Sequence, residues 1–227
     1  MDKVNILGVM VDSVTMASAR ERIKAFLSDD AIGHVIYTPN SEIIMAAKEN
    51  PEFKALLNTA DLIIPDGIGV VKAAKILGHP IPERVGGFDL TSSIIPYLAE
   101  QGMSVFIFGG KDGVASLAAE KLASAYPGLK IAAAKPDFLM VCLGAPKQEE
   151  WIFAHKNELN AKVIIGAGGS SDVFAGTVNR APDFFIRHNL EWLYRIVKGK
   201  RFKRSLKLFS FAFTVYASKF KKTEEGK

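Results

Sequence analysis

The chain has 227 residues, of which 48% are hydrophobic, so it can bury a substantial core and reads as one globular body with an extension. A single cysteine, Cys142, rules out an intrachain disulfide framework and points to a reducing compartment. The formal charge of +5 divides unevenly: residues 195–227 hold 11 Lys or Arg against 2 Glu, a net +9, while residues 1–194 carry a net −4.

In chain order, residues 4–10 predict a short apolar strand and residues 15–27 a helix with Ile23, Phe26 and Leu27 at helical spacing. The amino terminus shows no charged leader followed by an apolar run, so no secretory signal is expected. Residues 34–38 predict the next strand, which ends in Thr38-Pro39-Asn40-Ser41, polar groups placed where a strand gives way to a helix at about residues 42–48. A second short helix over residues 51–57 leads to the apolar run 60–64. That run turns at Pro65-Asp66-Gly67 into a helix over residues 70–77. Ligands of open α/β sheets collect at strand carboxyl ends. Asp66 is therefore a candidate base beside a glycine that allows close approach, or else a helix cap.

After the loop 78–87 come a helix over about residues 88–100 and a buried strand over residues 104–108. Gly109-Gly110-Lys111-Asp112-Gly113 joins this strand to an alanine-rich helix that runs to Tyr126. Such a turn presents backbone N–H groups to a phosphate or serves as a tight packing turn; the full dinucleotide and P-loop fingerprints are absent. Residues 129–134 and 137–143 both predict strands, with only Lys135-Pro136 between them. A parallel pair needs a crossover of a dozen or more residues, so either these strands do not pair or a crossover segment is missing; the second reading is favoured. Cys142 lies within the second of these strands and is expected to be a buried structural thiol.

Leu143 to Gln148 forms a further strand exit into a helix. Residues 162–166 make the last strong strand, followed by the small-residue run 167–176, and residues 183–197 predict one helix. The strand–helix alternation is that of a mostly parallel, Rossmann-like α/β sheet with helices on both faces. In the tail, Phe202, Leu206, Phe209, Phe213, Tyr216 and Phe220 recur at spacings of three or four among basic residues. The longest uncharged stretch, 208–218, is shorter than the roughly 20 residues that span a bilayer. A basic amphipathic helix at an anionic membrane interface fits this pattern. Packing of the stripe on the body or on another subunit is the alternative, and nucleic acid is disfavoured by the continuous apolar face. The expected division is thus a domain over residues 1–194 and an appendage over residues 195–227.

Five runs stand out together: Thr38-Pro39-Asn40, Pro65-Asp66-Gly67-Ile68-Gly69, Glu83-Arg84-Val85-Gly86-Gly87, Gly144-Ala145-Pro146-Lys147-Gln148-Glu149, and Arg180-Ala181-Pro182 with Leu190-Glu191-Trp192-Leu193-Tyr194-Arg195. In this order they resemble the TagA/WecG/CpsF glycosyltransferases, and most closely their N-acetylmannosaminyltransferase branch of wall teichoic acid synthesis. The resemblance implies transfer of N-acetylmannosamine from its UDP donor to the 4-hydroxyl of N-acetylglucosamine on undecaprenyl diphosphate, with inversion. It implies Asp66 as base, Thr38 and Asn40 as residues that orient sugar hydroxyls, Gln148 and Lys147 at the sugar or diphosphate, and Arg84 on the diphosphate. Gly109, Gly110, Gly113, Gly168, Gly169 and Asp172 would form the nucleotide pocket. Arg195, Arg201 and Arg204 would reach the leaving diphosphate if the tail folds over the pocket.

No cofactor is implied. No Asp-x-Asp occurs, and His34, His79, His155 and His188 are isolated, so a divalent metal is not indicated. The expected setting is cytoplasmic, peripherally attached to the inner face of the cell membrane, with a homo-oligomer as an option. Ser171 departs from the family pattern, which has an aromatic residue before the Asp. The competing readings are a nicotinamide oxidoreductase on a similar sheet, which the missing Gly-x-Gly-x-x-Gly disfavours, and a membrane-recruited sugar-nucleotide sensor without catalysis.

Overall fold

The computed structural model describes residues 2–199 and 202–224. The chain opens on an antiparallel hairpin, β1 (Lys3–Ile6) and β2 (Val9–Asp12), and not on the single strand expected over residues 4–10. Leu7 and Gly8 between them have φ of 53° and 95°, the pair of positive angles that a tight hairpin turn requires, and Asn5 Oδ1 accepts from Gly8 N at 2.8 Å. The hairpin forms its own two-stranded sheet and is tied to the main one through buried Asp12, whose Oδ2 accepts from Ile63 N at 2.8 Å.

The main sheet has six parallel strands. β3 (His34–Tyr37), β4 (Leu62–Ile63), β5 (Ser104–Gly109), β6 (Lys130–Ile131), β7 (Phe138–Cys142) and β8 (Val163–Gly166) stand in the order β4-β3-β8-β7-β5-β6. Both faces are apolar, as expected of strands covered on two sides. Leu62, Ile36, Ile165, Met140 and Val105 face one layer, made with α1 (Met16–Ser28), α5 (Gly87–Glu100) and α6 (Val114–Ala125). Ile63, Val35, Tyr37, Ile164 and Leu139 face the other, made with the hairpin, α2 (Ser41–Glu49), α3 (Pro51–Leu57), α4 (Ile68–Ile76) and α7 (Lys147–His155). The α/β class with helices on both faces is as the sequence predicts.

The question raised by residues 129–143 has a geometric answer. β6 and β7 do not pair with each other; β5 lies between them, and Ile131 and Phe138 are both partnered with Val105 from opposite sides. The link therefore moves sideways by about two strand spacings, roughly 10 Å, and never has to return along the sheet. Asp137 fastens its end, with Oδ2 accepting from Ser104 N at 2.8 Å and from Ser104 Oγ at 2.7 Å.

The helix expected over residues 183–197 is two helices, α9 (Asp183–Arg187) and α10 (Glu191–Gly199). Asn189 breaks it with a left-handed φ of 58°. Between β8 and α9, α8 (Ser170–Phe174) takes up part of the small-residue run. The chain ends in α11 (Phe202–Glu224), so the boundary drawn at residue 195 falls inside α10. α11 lies on α2 and α4, with Phe211 only 3% exposed and Val215 fully buried in that contact. The predicted stripe points the other way: Phe209 is 73% and Phe213 76% exposed, and Tyr216 and Phe220 are exposed beside them. The side chains of Phe202 and Leu206 lie outside the described residues. Among the described residues no helix is long and apolar enough to cross a membrane.

Candidate active site at the strand exits

Asp66 leaves β4 half-buried and lines a cleft of about 410 Å³. Its corner follows from the chain: Pro65 fixes one backbone angle, and Gly67 (φ 94°, ψ 145°) supplies a conformation open to few other residues. Gly67 itself is the N-cap of α4 and brings no side chain to it. Asn40 and Arg84 line the same cleft. Asn40 Oδ1 caps α2, accepting from Glu42 N at 2.9 Å and Ile43 N at 3.1 Å, which turns the amide nitrogen into the group available to a ligand. Arg84 is held between two acids, with Nη2 at 3.0 Å from Asp89 Oδ2 and Nη1 at 3.8 Å from Glu191 Oε2. Arg180 grips the other oxygen of Asp89 at 2.5 Å and lies over the Phe88 ring. The floor and walls of the cleft come from α4, α10 and α11 and are mainly apolar.

Thr38 and Gln148 are placed differently. Both are buried and committed to backbone or side-chain partners at the exits of β3 and β8. Thr38 Oγ1 donates to the Gly166 carbonyl at 3.0 Å, and a Cβ on Gly87 would come within 3.2 Å of Thr38, so glycine lets α5 start hard against it. Gln148 Oε1 accepts from Gly168 N at 2.9 Å while Nε2 donates to Glu149 Oε1 at 2.8 Å. Neither residue lines the cleft; both set the shape of the β8 exit beneath it.

The remaining predicted positions gather at the exits of β5, β7 and β8. Gly109 (φ 97°) passes so close to Cys142 and Leu143 that a Cβ would meet Leu143 at 2.8 Å, and Gly110 N donates to the Cys142 carbonyl at 3.0 Å. Gly113 (φ 77°) is the N-cap of α6. Gly168 (φ 52°) and Gly169 lead into α8, which carries half-buried Asp172, and Lys147 is exposed at the start of α7. None of these lines the Asp66 cleft. The side chains of Arg195 and Arg204, and Arg201 entirely, lie outside the described residues. Cys142 is buried and its thiol is pushed up by desolvation, which suits a packing role.

Three groups escaped the sequence reading. Glu191 and Lys72 line the cleft, and Glu149 sits 1% exposed under the β8 exit with Oε2 lacking a hydrogen-bond partner. Burial raises Glu149 to about 7 against the lowering effect of the Gln148 amide, and Tyr37, pushed up mainly by its own burial, donates to the Glu149 carbonyl at 3.2 Å. No group of three or more His, Cys, Asp or Glu among the described residues converges as a metal site.

A family model described as the glycosyl transferase WecG/TagA/CpsF family matches residues 4–135 and 130–225. The chain belongs to this family. The two matched parts overlap at residues 130–135, which hold β6 and the start of its link to β7. The N-acetylglucosaminyldiphosphoundecaprenol N-acetyl-beta-D-mannosaminyltransferase of Staphylococcus aureus (strain MRSA252) is 35% identical over 244 residues, covering 98% of this chain and 96% of the relative. The protein of the same name from Bacillus spizizenii (strain ATCC 23059 / NRRL B-14472 / W23) is 37% identical over 206 residues, covering 82% and 80%.

Proposed function

We propose that this glycosyltransferase moves N-acetylmannosamine from UDP-N-acetylmannosamine to the 4-hydroxyl of N-acetylglucosamine carried on undecaprenyl diphosphate, in the assembly of the wall teichoic acid linkage unit. The observation that carries the reading is the cleft in which Asp66, Asn40 and Arg84 meet, in a chain with the family and relatives described above. In this reading the Asp66 carboxylate takes the proton of the acceptor hydroxyl as its oxygen bonds to the sugar's anomeric carbon. UDP departs from the opposite face with the electron pair of the broken bond. One carboxylate suffices for such an inverting displacement, by analogy with the base of an inverting glycosidase. Asn40 orients a sugar hydroxyl through its amide nitrogen, and Arg84 offers its guanidinium to a diphosphate in place of Glu191. Thr38 and Gln148 act by holding the β8 exit. Gly109, Gly110, Gly113, Lys147, Gly168, Gly169 and Asp172 frame the nucleotide, and Arg195, Arg201 and Arg204 meet the leaving diphosphate. The reaction needs no cofactor or metal in this account.

The exposed stripe on α11 supports residues 195–227 as a membrane-docking appendage, and in this reading the enzyme attaches peripherally to the cytoplasmic face of the membrane. Burying a Phe side chain is worth roughly 1.5–3 kcal/mol. A double Phe209→Ser, Phe213→Ser variant is therefore expected to bind anionic vesicles at least about tenfold more weakly in co-sedimentation, without loss of folding, because both side chains are exposed. Unchanged binding would remove the stripe from membrane contact.

Release of UDP tests the activity itself. It should require both UDP-N-acetylmannosamine and the lipid-diphosphate N-acetylglucosamine acceptor. A sugar-nucleotide sensor would bind the donor and release nothing in the presence of acceptor, and an oxidoreductase would ignore both.

A further inference from the structure

The cleft that contains Asp66 has two chemically different ends. Its polar end carries Asn40, Asp66 and Arg84 with Glu42 and Glu191, and the lining drawn from α4 and α10–α11 is mainly apolar, including Ile76, Trp192, Ile196, Leu208 and Val215, with Lys72 as the charged residue that α4 adds. Phe209 lines this cleft and is also 73% exposed, so the apolar end opens directly onto the aromatic face of α11 that Phe213, Tyr216 and Phe220 continue. A sugar or a uracil would leave its hydrogen-bonding groups unmatched along such a wall, at a cost of about 1–3 kcal/mol for each buried group. A branched hydrocarbon chain loses nothing there and gains roughly 25 cal/mol per Å² of apolar area removed from water. A volume of about 410 Å³ is within the range of small-ligand sites, and takes a segment of chain rather than a long one.

We propose that the apolar arm of the cleft, between α4 and α10–α11, is a subsite for the first isoprenyl units of the acceptor's polyprenyl chain, those adjoining the diphosphate. The proposal rests on the lipid-linked acceptor named above. It assigns that acceptor a path: diphosphate at Arg84, proximal isoprenes along Ile76, Trp192 and Val215, and the rest of the chain leaving past Phe209 into the bilayer. The three elements that build the arm are the same ones that join the catalytic corner to the exposed stripe. The lipid is thus drawn partly out of the membrane and held by protein next to its head group, and bilayer contact alone does not deliver it.

Direct binding to the full chain tests this without turnover. Trp192 lines the arm, and the only other tryptophan, Trp151 on α7, is stacked on His155 and tilted against Phe108 of β5 and does not line it. Titration with a farnesyl diphosphate ester of N-acetylglucosamine should change Trp192 fluorescence saturably, and Trp192→Phe should abolish the signal. The methyl ester with the same head group should bind at least about tenfold more weakly. Ala212→Phe narrows the arm from an exposed position on α11, and should reduce the farnesyl preference by about tenfold relative to the methyl ester. Equal affinity for the two esters would overturn the subsite, as would a preference unchanged in Ala212→Phe or equally tight binding of a short-chain phosphatidic acid. If the farnesyl preference holds while no UDP is ever released, the transfer reading fails and the isoprenoid site stands.

Discussion

Asp66→Asn is expected to lower kcat for transfer by about 10²–10⁴-fold, the usual contribution of a positioned general base. Donor KM should change little, because the amide retains the shape of the carboxylate and one of its oxygens. The corner itself depends on Pro65 and on the φ of 94° at Gly67, so the fold is expected to tolerate the exchange. A loss in kcat and kcat/KM together, with donor binding unchanged by calorimetry, is the signature of an interaction made in the transition state. A variant that keeps its rate would remove Asp66 from the mechanism.

Glu149→Gln is expected to stabilise the protein in a pH-dependent way. The folded-state value of about 7 lies above the ordinary 4.5, and burial is the dominant cause. Folded protein therefore holds this proton where the unfolded chain has released it. The stabilisation is fully present below about pH 4.5 and is lost as pH rises through 7, where a buried carboxylate must form with Oε2 unpartnered. The difference corresponds to about 3 kcal/mol. Urea unfolding should show the glutamine variant more stable than wild type by up to about that amount at pH 8, with the advantage shrinking as pH falls and gone below about pH 4.5. A difference independent of pH would contradict the assignment. Because Gln148 bridges Glu149 to Gly168 N, ionisation of Glu149 also bears on the shape of the β8 exit.

The sheet was legible because its strands are short apolar runs that alternate with helices of period 3.6, and Asp66 and Asn40 were legible because polar groups at strand exits stand out against those runs; Arg84, in the loop between α4 and α5, was marked by the family resemblance alone. Three features were hidden for local reasons. The amino-terminal hairpin turns at Leu7, a residue that rarely adopts the φ of 53° it has here, so the run 4–10 reads as unbroken. Asn189 breaks α9 from α10 in the same way, inside an otherwise helical pattern. For β6 and β7 the short link left two readings, strands that do not pair or a missing crossover; the second was favoured, and the sheet order shows the first, because β5 stands between them.

At the site, sequence position could not say where a side chain points. Thr38 follows β3 and Gln148 follows β7, polar exits of the same kind as that of Asp66 after β4, yet both are buried and hydrogen-bonded at the β8 exit. Glu149 reads as an ordinary acid in the first turn of α7, a place favoured by the helix dipole, and only the packing of β3 and β8 reveals it as buried. On α11 the aromatic stripe was plain from its spacing, but Phe211 and Val215, on the opposite face, are what seat the helix on the body.

The most direct test of the central claim, a single displacement with Asp66 as base, is the anomeric configuration of the lipid-linked disaccharide, read by NMR after incubation with UDP-N-acetylmannosamine and acceptor. The account predicts a β-linked product, inverted relative to the donor, formed by wild type and lost in Asp66→Asn. A product with retained configuration, or a glycosyl group trapped covalently on Asp66, would contradict it.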